Sequence, residues 1–143
     1  MRTTAAALLA SAVLARAALA AGGGTNEDLG PVVSLVNQAP ATVYSADLSN
    51  PSAHAAKCDI DLTSVGGTVT VTIYGKDGAS GSYYSMLASP AINSAGSTVL
   101  TVGPGLTAAT NSVASDYLPP TWRVGVVVAT GSATGTVGCS VIE

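Results

Sequence analysis

Hydrophobic and polar residues alternate along most of this chain with the period of two that is typical of β-strands. Turns rich in Gly, Pro, Asn and Ser separate the alternating segments at near-regular spacing. The segments are Ala41–Asp47, Lys57–Leu62, Thr68–Ile73, Tyr83–Ala88, Thr98–Val102, Trp122–Val128 and Thr136–Ile142, and Pro31–Val36 is either a first short strand or an extended arm. The pattern predicts an all-β fold, a single antiparallel β-sandwich of about seven or eight strands.

One long connection interrupts this spacing, between Gly103 and Pro120. It carries the turn formers Pro104, Gly105 and Asn111 and ends in two prolines. We expect an ordered excursion with room for one helical turn, because several apolar side chains are available to anchor it to the domain. These are Leu106, Val113, Tyr117 and Leu118.

The N-terminal part divides the chain into three predicted segments: residues 1–21, 22–36 and 37–143. The first is rich in Ala and Leu, the second begins with three glycines and holds a flexible linker over Gly22–Asp28, and the third is the sandwich. Two interpretations of residues 1–21 stay open. They resemble a secretory signal peptide, although Arg16 interrupts the apolar run. They also suit a retained helical or extended arm, because Ala and Leu are strong helix formers.

The arm is the working expectation, and its larger apolar side chains would then contact a groove on a partner. These are Leu8, Leu9, Val13 and Leu19. The apolar run is too short to span a bilayer, so no membrane association is predicted.

Composition limits the classes of function. The 143 residues suffice for one domain with a core. Charged residues make up 9% of the chain, against roughly 25% in ordinary soluble domains. A surface of small and hydroxyl side chains suits packing against copies of itself or a partner. The net charge of −3, with five scattered basic residues, argues against nucleic-acid binding.

The two cysteines fall on apolar strand faces. Cys58 alternates in phase with Ile60 and Leu62, and Cys139 with Val137 and Val141. Both therefore point into the core, where they form either a disulfide or two free buried thiols. A disulfide requires the two strands to be neighbours, which the sequence leaves undecided.

Candidate catalytic and metal-binding residues are few. His54 is the only histidine, and no nucleophile motif accompanies it, so an exposed loop position is expected. Asp59 and Asp61 share one strand face, but no third ligand for a cation is identifiable. We expect a solvated face there, with Lys57 or Arg123 opposite across the sheet. The sequence predicts no enzyme activity, no cofactor and no metal.

The remaining polar and aromatic motifs predict structural positions rather than a binding or catalytic site. Lys76-Asp77-Gly78 predicts a hairpin loop in which Asp77 caps its own backbone. Tyr83 and Tyr84 are adjacent on a strand and must point to opposite faces. Trp122 is in phase with the valines that follow it, which predicts a core position rather than an exposed stacking platform.

A set of motifs between Gly75 and Val124, about a third of the chain, points to a known family. They are Gly75-Lys76-Asp77, Ser80-Gly81-x-Tyr83-Tyr84-x-x-Leu87, Pro104-Gly105-Leu106-Thr107, Asn111, Ala114-x-Asp116-x-Leu118-Pro119 and Trp122-Arg123-Val124. In order and spacing the segment resembles small head proteins of tailed bacteriophages and prophages. The Ala-rich N-terminus and the two cysteines depart from that pattern.

The resemblance implies a β-sandwich that decorates or cements the exterior of a phage capsid. Its partners would be the major capsid protein and copies of itself, as a homo-oligomer for which a trimer fits. Besides the arm residues, the expected partner contacts are Tyr83, Tyr84, Leu106 and Tyr117. The alternative is a secreted or cell-surface module for adhesion or carbohydrate binding, with a cleaved signal peptide.

Overall fold

The computed structural model describes residues 27–50 and 55–142, and this part of the chain forms ten β-strands and no helix. The strands are β1 (Glu27–Gln38), β2 (Ala41–Tyr44), β3 (Leu48–Ser49), β4 (Ala55–Val65), β5 (Thr68–Lys76), β6 (Tyr83–Ala88), β7 (Gly96–Val102), β8 (Val113–Ala114), β9 (Thr121–Thr130) and β10 (Ala133–Ile142). The predicted all-β class is confirmed.

The strands form two sheets that pack face to face. The first sheet has the order β1-β10-β4-β7-β8, and the second has the order β2-β9-β5-β6, with β3 also paired to β9. All pairs are antiparallel except β7 with β8, which run parallel. The parallel pair arises because the chain leaves β7, loops out and returns along it in the same direction. The architecture is the predicted β-sandwich.

The core lies between the sheets and is built from alternate residues of the central strands. In β9 and β5 these alternate residues are almost fully enclosed, and Trp122 is the largest of them. Its indole is 0% exposed, so the predicted core position is confirmed. Because every second residue points inward, the intervening residues of β5 and β9 form the outer face of the second sheet.

The first strand corrects a predicted boundary. Residues 22–36 were expected to be a linker and extended segment, but Glu27–Gln38 is one strand paired with β10. The alternation is hard to read there because Gly30 has a φ of +64° at a register irregularity, where its N–H bonds to the carboxylate of Asp28. Pro31 is tolerated because β1 is an edge strand. The sandwich therefore includes residues 27–36.

The excursion after β7 is ordered but contains no helix. It makes a tight turn at Ala109–Val113 and then adds the two-residue strand β8. Of its four expected apolar anchors only Leu118 is buried. Leu106 and Tyr117 are exposed instead, Tyr117 to 69%. The expectation that Tyr117 anchors the loop was wrong, since most of its side chain contributes to the surface.

The two cysteines are direct partners across β4 and β10, and they form a disulfide. This settles the choice between a bonded pair and free thiols, because the strand order places β4 beside β10. Both residues are buried, Cys58 completely. The bond therefore joins two strands inside the core.

Several predicted positions lie outside the described residues. They include the whole of segment 1–21, with Leu8, Leu9, Val13 and Leu19, and also His54. Across residues 27–50 and 55–142 there is no helix long and apolar enough to cross a bilayer.

Candidate contact surface

Tyrosine and cationic side chains from four strand regions meet at one end of the outer face of the second sheet. Arg123 lies between the inward-pointing Trp122 and Val124 on β9, so its side chain points outward. Tyr74 is its partner on β5. Tyr44 of β2 and Tyr83 of β6 come from the two flanking strands. We call Tyr44, Tyr74, Tyr83 and Arg123, with Lys76 and Asp47, the tyrosine–arginine cluster.

Arg123 is held between two aromatic rings. The guanidinium carbon Cζ lies 3.5 Å from the ring centre of Tyr83 and 4.0 Å from that of Tyr44. The ring of Tyr74 is 5.8 Å away, and it meets the Tyr44 ring edge-on at a centroid distance of 6.0 Å. Such cation–π contacts contribute about 0.5–2 kcal/mol each. The stack therefore ties β2, β9 and β6 together across the sheet and restricts the rotation of Arg123.

The absence of a side chain at Gly125 makes room for this stack. A Cβ atom there would lie 2.8 Å from ring carbons of both Tyr44 and Tyr74. Real Cβ atoms do not approach neighbours that closely, so the two rings lie directly over the glycine backbone. The position of Gly125 between the strands of the two tyrosines thus sets how close the rings come to Arg123.

Asp47 links the cluster to the loop after β2. Its carboxylate accepts a hydrogen bond from the Tyr83 hydroxyl and forms an ion pair with Lys76, with 2.8 Å between Nζ and Oδ2. Ser45 positions this loop, because its N–H donates to the Val124 carbonyl and its Oγ accepts from the Val124 N–H. Hydrogen bonds from Lys76 and then from Tyr83 hold the pKa of Asp47 below its ordinary value.

Acid should weaken this network, and Asp47→Asn tests the effect. A carboxyl whose pKa is lowered by folding stabilises the fold above its ordinary value of 3.8 and loses that contribution as pH falls through the folded value. We expect Asp47→Asn to lower the urea midpoint of unfolding at pH 7. Below about pH 3.8 the difference between the urea midpoints of the variant and wild type should become smaller. Urea denaturation across this pH range measures it. Asp61→Asn, at an exposed aspartate outside the cluster, is the control, and an equal pH profile for both variants would contradict the role of Asp47.

Tyr84, the other tyrosine of the predicted pair, points away from the cluster. Its ring covers Gly75, where an added Cβ would lie 2.5 Å from the Tyr84 Cζ and 3.0 Å from Pro119. The residue remains 44% exposed. Tyr83 and Tyr84 therefore lie on opposite faces of β6, as expected, and contribute to different surfaces. Leu106 and Tyr117 lie on the excursion and do not join the cluster.

The acidic pair lies elsewhere, on the outer face of the first sheet. Asp59 forms an ion pair with Lys57 of the same strand, at 3.1 Å between Nζ and Oδ1. The expectation that Arg123 faces this pair across a sheet was wrong, because Arg123 belongs to the second sheet. Among the residues that the structure describes, no group of three His, Cys, Asp or Glu is placed to hold a metal ion.

Sequence reasoning named Tyr83 but missed the rest of the cluster. Alternation does place Arg123, Tyr74 and Tyr44 out of phase with the core, so their outward direction was readable from the sequence. Their proximity was not, because it depends on the order β2-β9-β5-β6, in which neighbours in the sheet are distant along the chain.

The described residues define a disulfide-linked β-sandwich domain with an aromatic and cationic cluster on the outer face of one sheet. No family model matches the chain, and no curated protein matches it significantly.

Proposed function

We propose that this protein is a structural β-sandwich that decorates or cements the exterior of a phage capsid and has no catalytic role. It would contact the major capsid protein and copies of itself as a homo-oligomer. Each contact can be modest, because many copies on one particle add their contributions to its stability. The proposal rests on the resemblance in the Gly75–Val124 motifs and on the surface that those motifs form.

The convergence of the motif residues carries the proposal. Lys76, Tyr83 and Arg123 come from three separate motifs, yet they meet in the tyrosine–arginine cluster. Gly75, Tyr84 and Pro119 meet in a second contact at the other face of the same strands. A core motif would need only apolar alternation. Motif residues that assemble an outward-facing polar and aromatic surface are better explained by a shared contact with a partner.

The composition of the exposed surface also supports protein contacts. Tyrosine and arginine are enriched among residues that dominate binding energy at interfaces. Two tyrosines outside the stack, Tyr84 and Tyr117, are exposed to 44% and 69%. The chain carries few charges to keep such a surface hydrated.

Purified native particles provide the test. We expect the chain to co-sediment with particles through a density gradient, at a fixed ratio to the major capsid protein measured by mass spectrometry. Tyr117→Ala should lower that ratio without changing thermal unfolding, because the ring is exposed and contributes little to the core. Ser97→Ala, at an exposed position of β7, is the matched control. Particles that lack the chain entirely would contradict the proposal.

A second candidate is a secreted or cell-surface module for adhesion or carbohydrate binding. The buried Cys58–Cys139 disulfide favours it, because disulfides persist mainly in oxidising compartments. The intact mass of the native protein separates the two candidates. Loss of about 20 N-terminal residues would support secretion, whereas retention of Leu8 to Leu19 would support the arm.

A further inference from the structure

Arg123 is the one unpaired cation among the described residues. Lys57 is paired with Asp59, and Lys76 is paired with Asp47. Arg123 forms no ion pair and donates no hydrogen bond within the described part of the chain. Its Nε is enclosed without a hydrogen-bond partner among the described residues, while the residue as a whole is half-buried. A guanidinium has five N–H donors, and leaving them unused is costly where water is partly excluded.

We propose that Arg123 is the anchor of a binding site for the carboxylate of an acidic side chain on a partner protein. The inference deepens the proposed function, on which it rests, by naming what the contact surface recognises. The planar guanidinium presents its terminal N–H groups in a geometry that matches the two oxygens of a carboxylate. The partner would be a capsid subunit that offers Asp or Glu at the contact.

The aromatic stack prepares Arg123 for this role. The ring centres of Tyr83 and Tyr44 lie 3.5 and 4.0 Å from the guanidinium carbon, so the two rings restrict the positions that the side chain can take. A free arginine loses rotamer entropy when it binds, and here that cost is already met by folding. The rings also exclude water beside the incoming carboxylate, which strengthens its attraction to the cation.

The charge balance of the cluster favours a singly charged anion. Arg123 and Lys76 each contribute +1 and Asp47 contributes −1, which leaves +1. A carboxylate neutralises that charge, whereas a doubly charged phosphate would leave an excess negative charge beside Asp47. The chain as a whole carries −3, so its net charge does not attract an acidic group. The charge of the cluster therefore favours a carboxylate as the ligand and Arg123 as the place where it binds.

Titration of the isolated protein with a small carboxylate tests the site directly. The probe is N-acetyl-glutamate amide, and the matched neutral probe is N-acetyl-glutamine amide. We expect saturable NMR shifts of the Arg123 Nε–Hε and Gly125 N–H signals with the first probe and none with the second. Arg123→Lys keeps the charge but loses the planar arrangement of N–H donors. It should raise the dissociation constant of the carboxylate probe about tenfold, measured from the shift of the Gly125 N–H signal.

Three results of the titration would overturn the inference. They are the absence of a saturable shift, an equal response to the neutral probe, and a stronger response to inorganic phosphate than to the carboxylate. Tyr44→Leu provides a further check, because it removes one ring and leaves the charge. It should weaken carboxylate binding although the chain still carries Arg123. An unchanged affinity would argue against pre-organisation of the guanidinium by the two rings.

Native particles separate failure of the site from failure of the proposed function. If wild-type protein co-sediments with particles, Arg123→Lys should reduce the bound fraction several-fold at a temperature where the variant is still fully folded. Equal retention of Arg123→Lys would overturn the anchor and leave the capsid role standing. If wild-type protein is absent from particles, the capsid role fails, and the carboxylate titration by itself decides the site.

Discussion

Replacing Trp122 with alanine should lower the free energy of unfolding by about 3–5 kcal/mol, the range for large aromatic residues in well-packed cores. Trp122 is 0% exposed and is the largest fully buried side chain. On β9 it pairs with Leu48 of β3 on one side and Gly75 of β5 on the other. Its removal leaves a cavity between the sheets that rigid strands cannot close. Urea denaturation of Trp122→Ala against wild type measures the loss.

Trp122→Phe is the matched control, since it keeps an aromatic ring. The indole Nε1 has no hydrogen-bond partner among the described residues, so phenylalanine removes a buried polar group along with some volume. We expect a clearly smaller loss than for alanine. If the free energy of unfolding of the alanine variant were within about 1 kcal/mol of the wild-type value, the core position of Trp122 would be contradicted, because such a truncation usually costs much more.

Removing the disulfide should cost about 4 kcal/mol. Cys58 and Cys139 are 81 positions apart, so the bond closes most of the folded domain into one loop. A cross-link of this span stabilises the fold mainly by restricting the unfolded chain. The effect is large beside a total stability of about 5–15 kcal/mol for ordinary domains. Chemical denaturation of the Cys58→Ala, Cys139→Ala double variant measures it.

Reductant supplies the control for the disulfide. In a strong thiol reductant, chemical denaturation of the wild-type protein should give a free energy of unfolding close to that of the double variant. The double variant itself should not respond to reductant. Equal stability of reduced and oxidised wild type would mean that the bond contributes nothing.

Much of the sandwich could be predicted from local pattern. The bounds of β6, Tyr83–Ala88, agree with the prediction, and β4, β5, β9 and β10 extend the predicted segments by a few residues. These segments alternate because one face of each strand packs against the core. The described residues form ten strands rather than seven or eight, since β3 and β8 have two residues each and no readable period.

The predictions that failed involve residues whose environment is set by distant parts of the chain. Glu27–Gln38 was not fully recognised as a strand because Gly30 and Pro31 break its alternation, and only pairing with β10 keeps it extended. Tyr117 was expected both to anchor the excursion and to contact a partner, and its exposure contradicts the first of these two roles. The path of the excursion, rather than residue type, left it exposed.

The tyrosine–arginine cluster also combines features that the local sequence pattern predicts with features that only the order of the strands decides. Alternation alone shows that Tyr44, Tyr74 and Arg123 do not belong to the core. It does not show that Arg123 lies between Tyr44 and Tyr83, since these residues come from strands far apart in the chain. The sheet order decides which outward side chains become neighbours.

The sequence by itself determined the class of fold and which face of each central strand is buried, because side-chain direction in a strand follows from local backbone geometry. Both cysteines were placed in the core on that basis. Only the tertiary structure decided that β4 lies beside β10, which brings Cys58 to Cys139, and that β9 lies between β2 and β5. Strand neighbours are selected by the packing of the whole sandwich, and that selection depends on contacts between residues far apart along the chain.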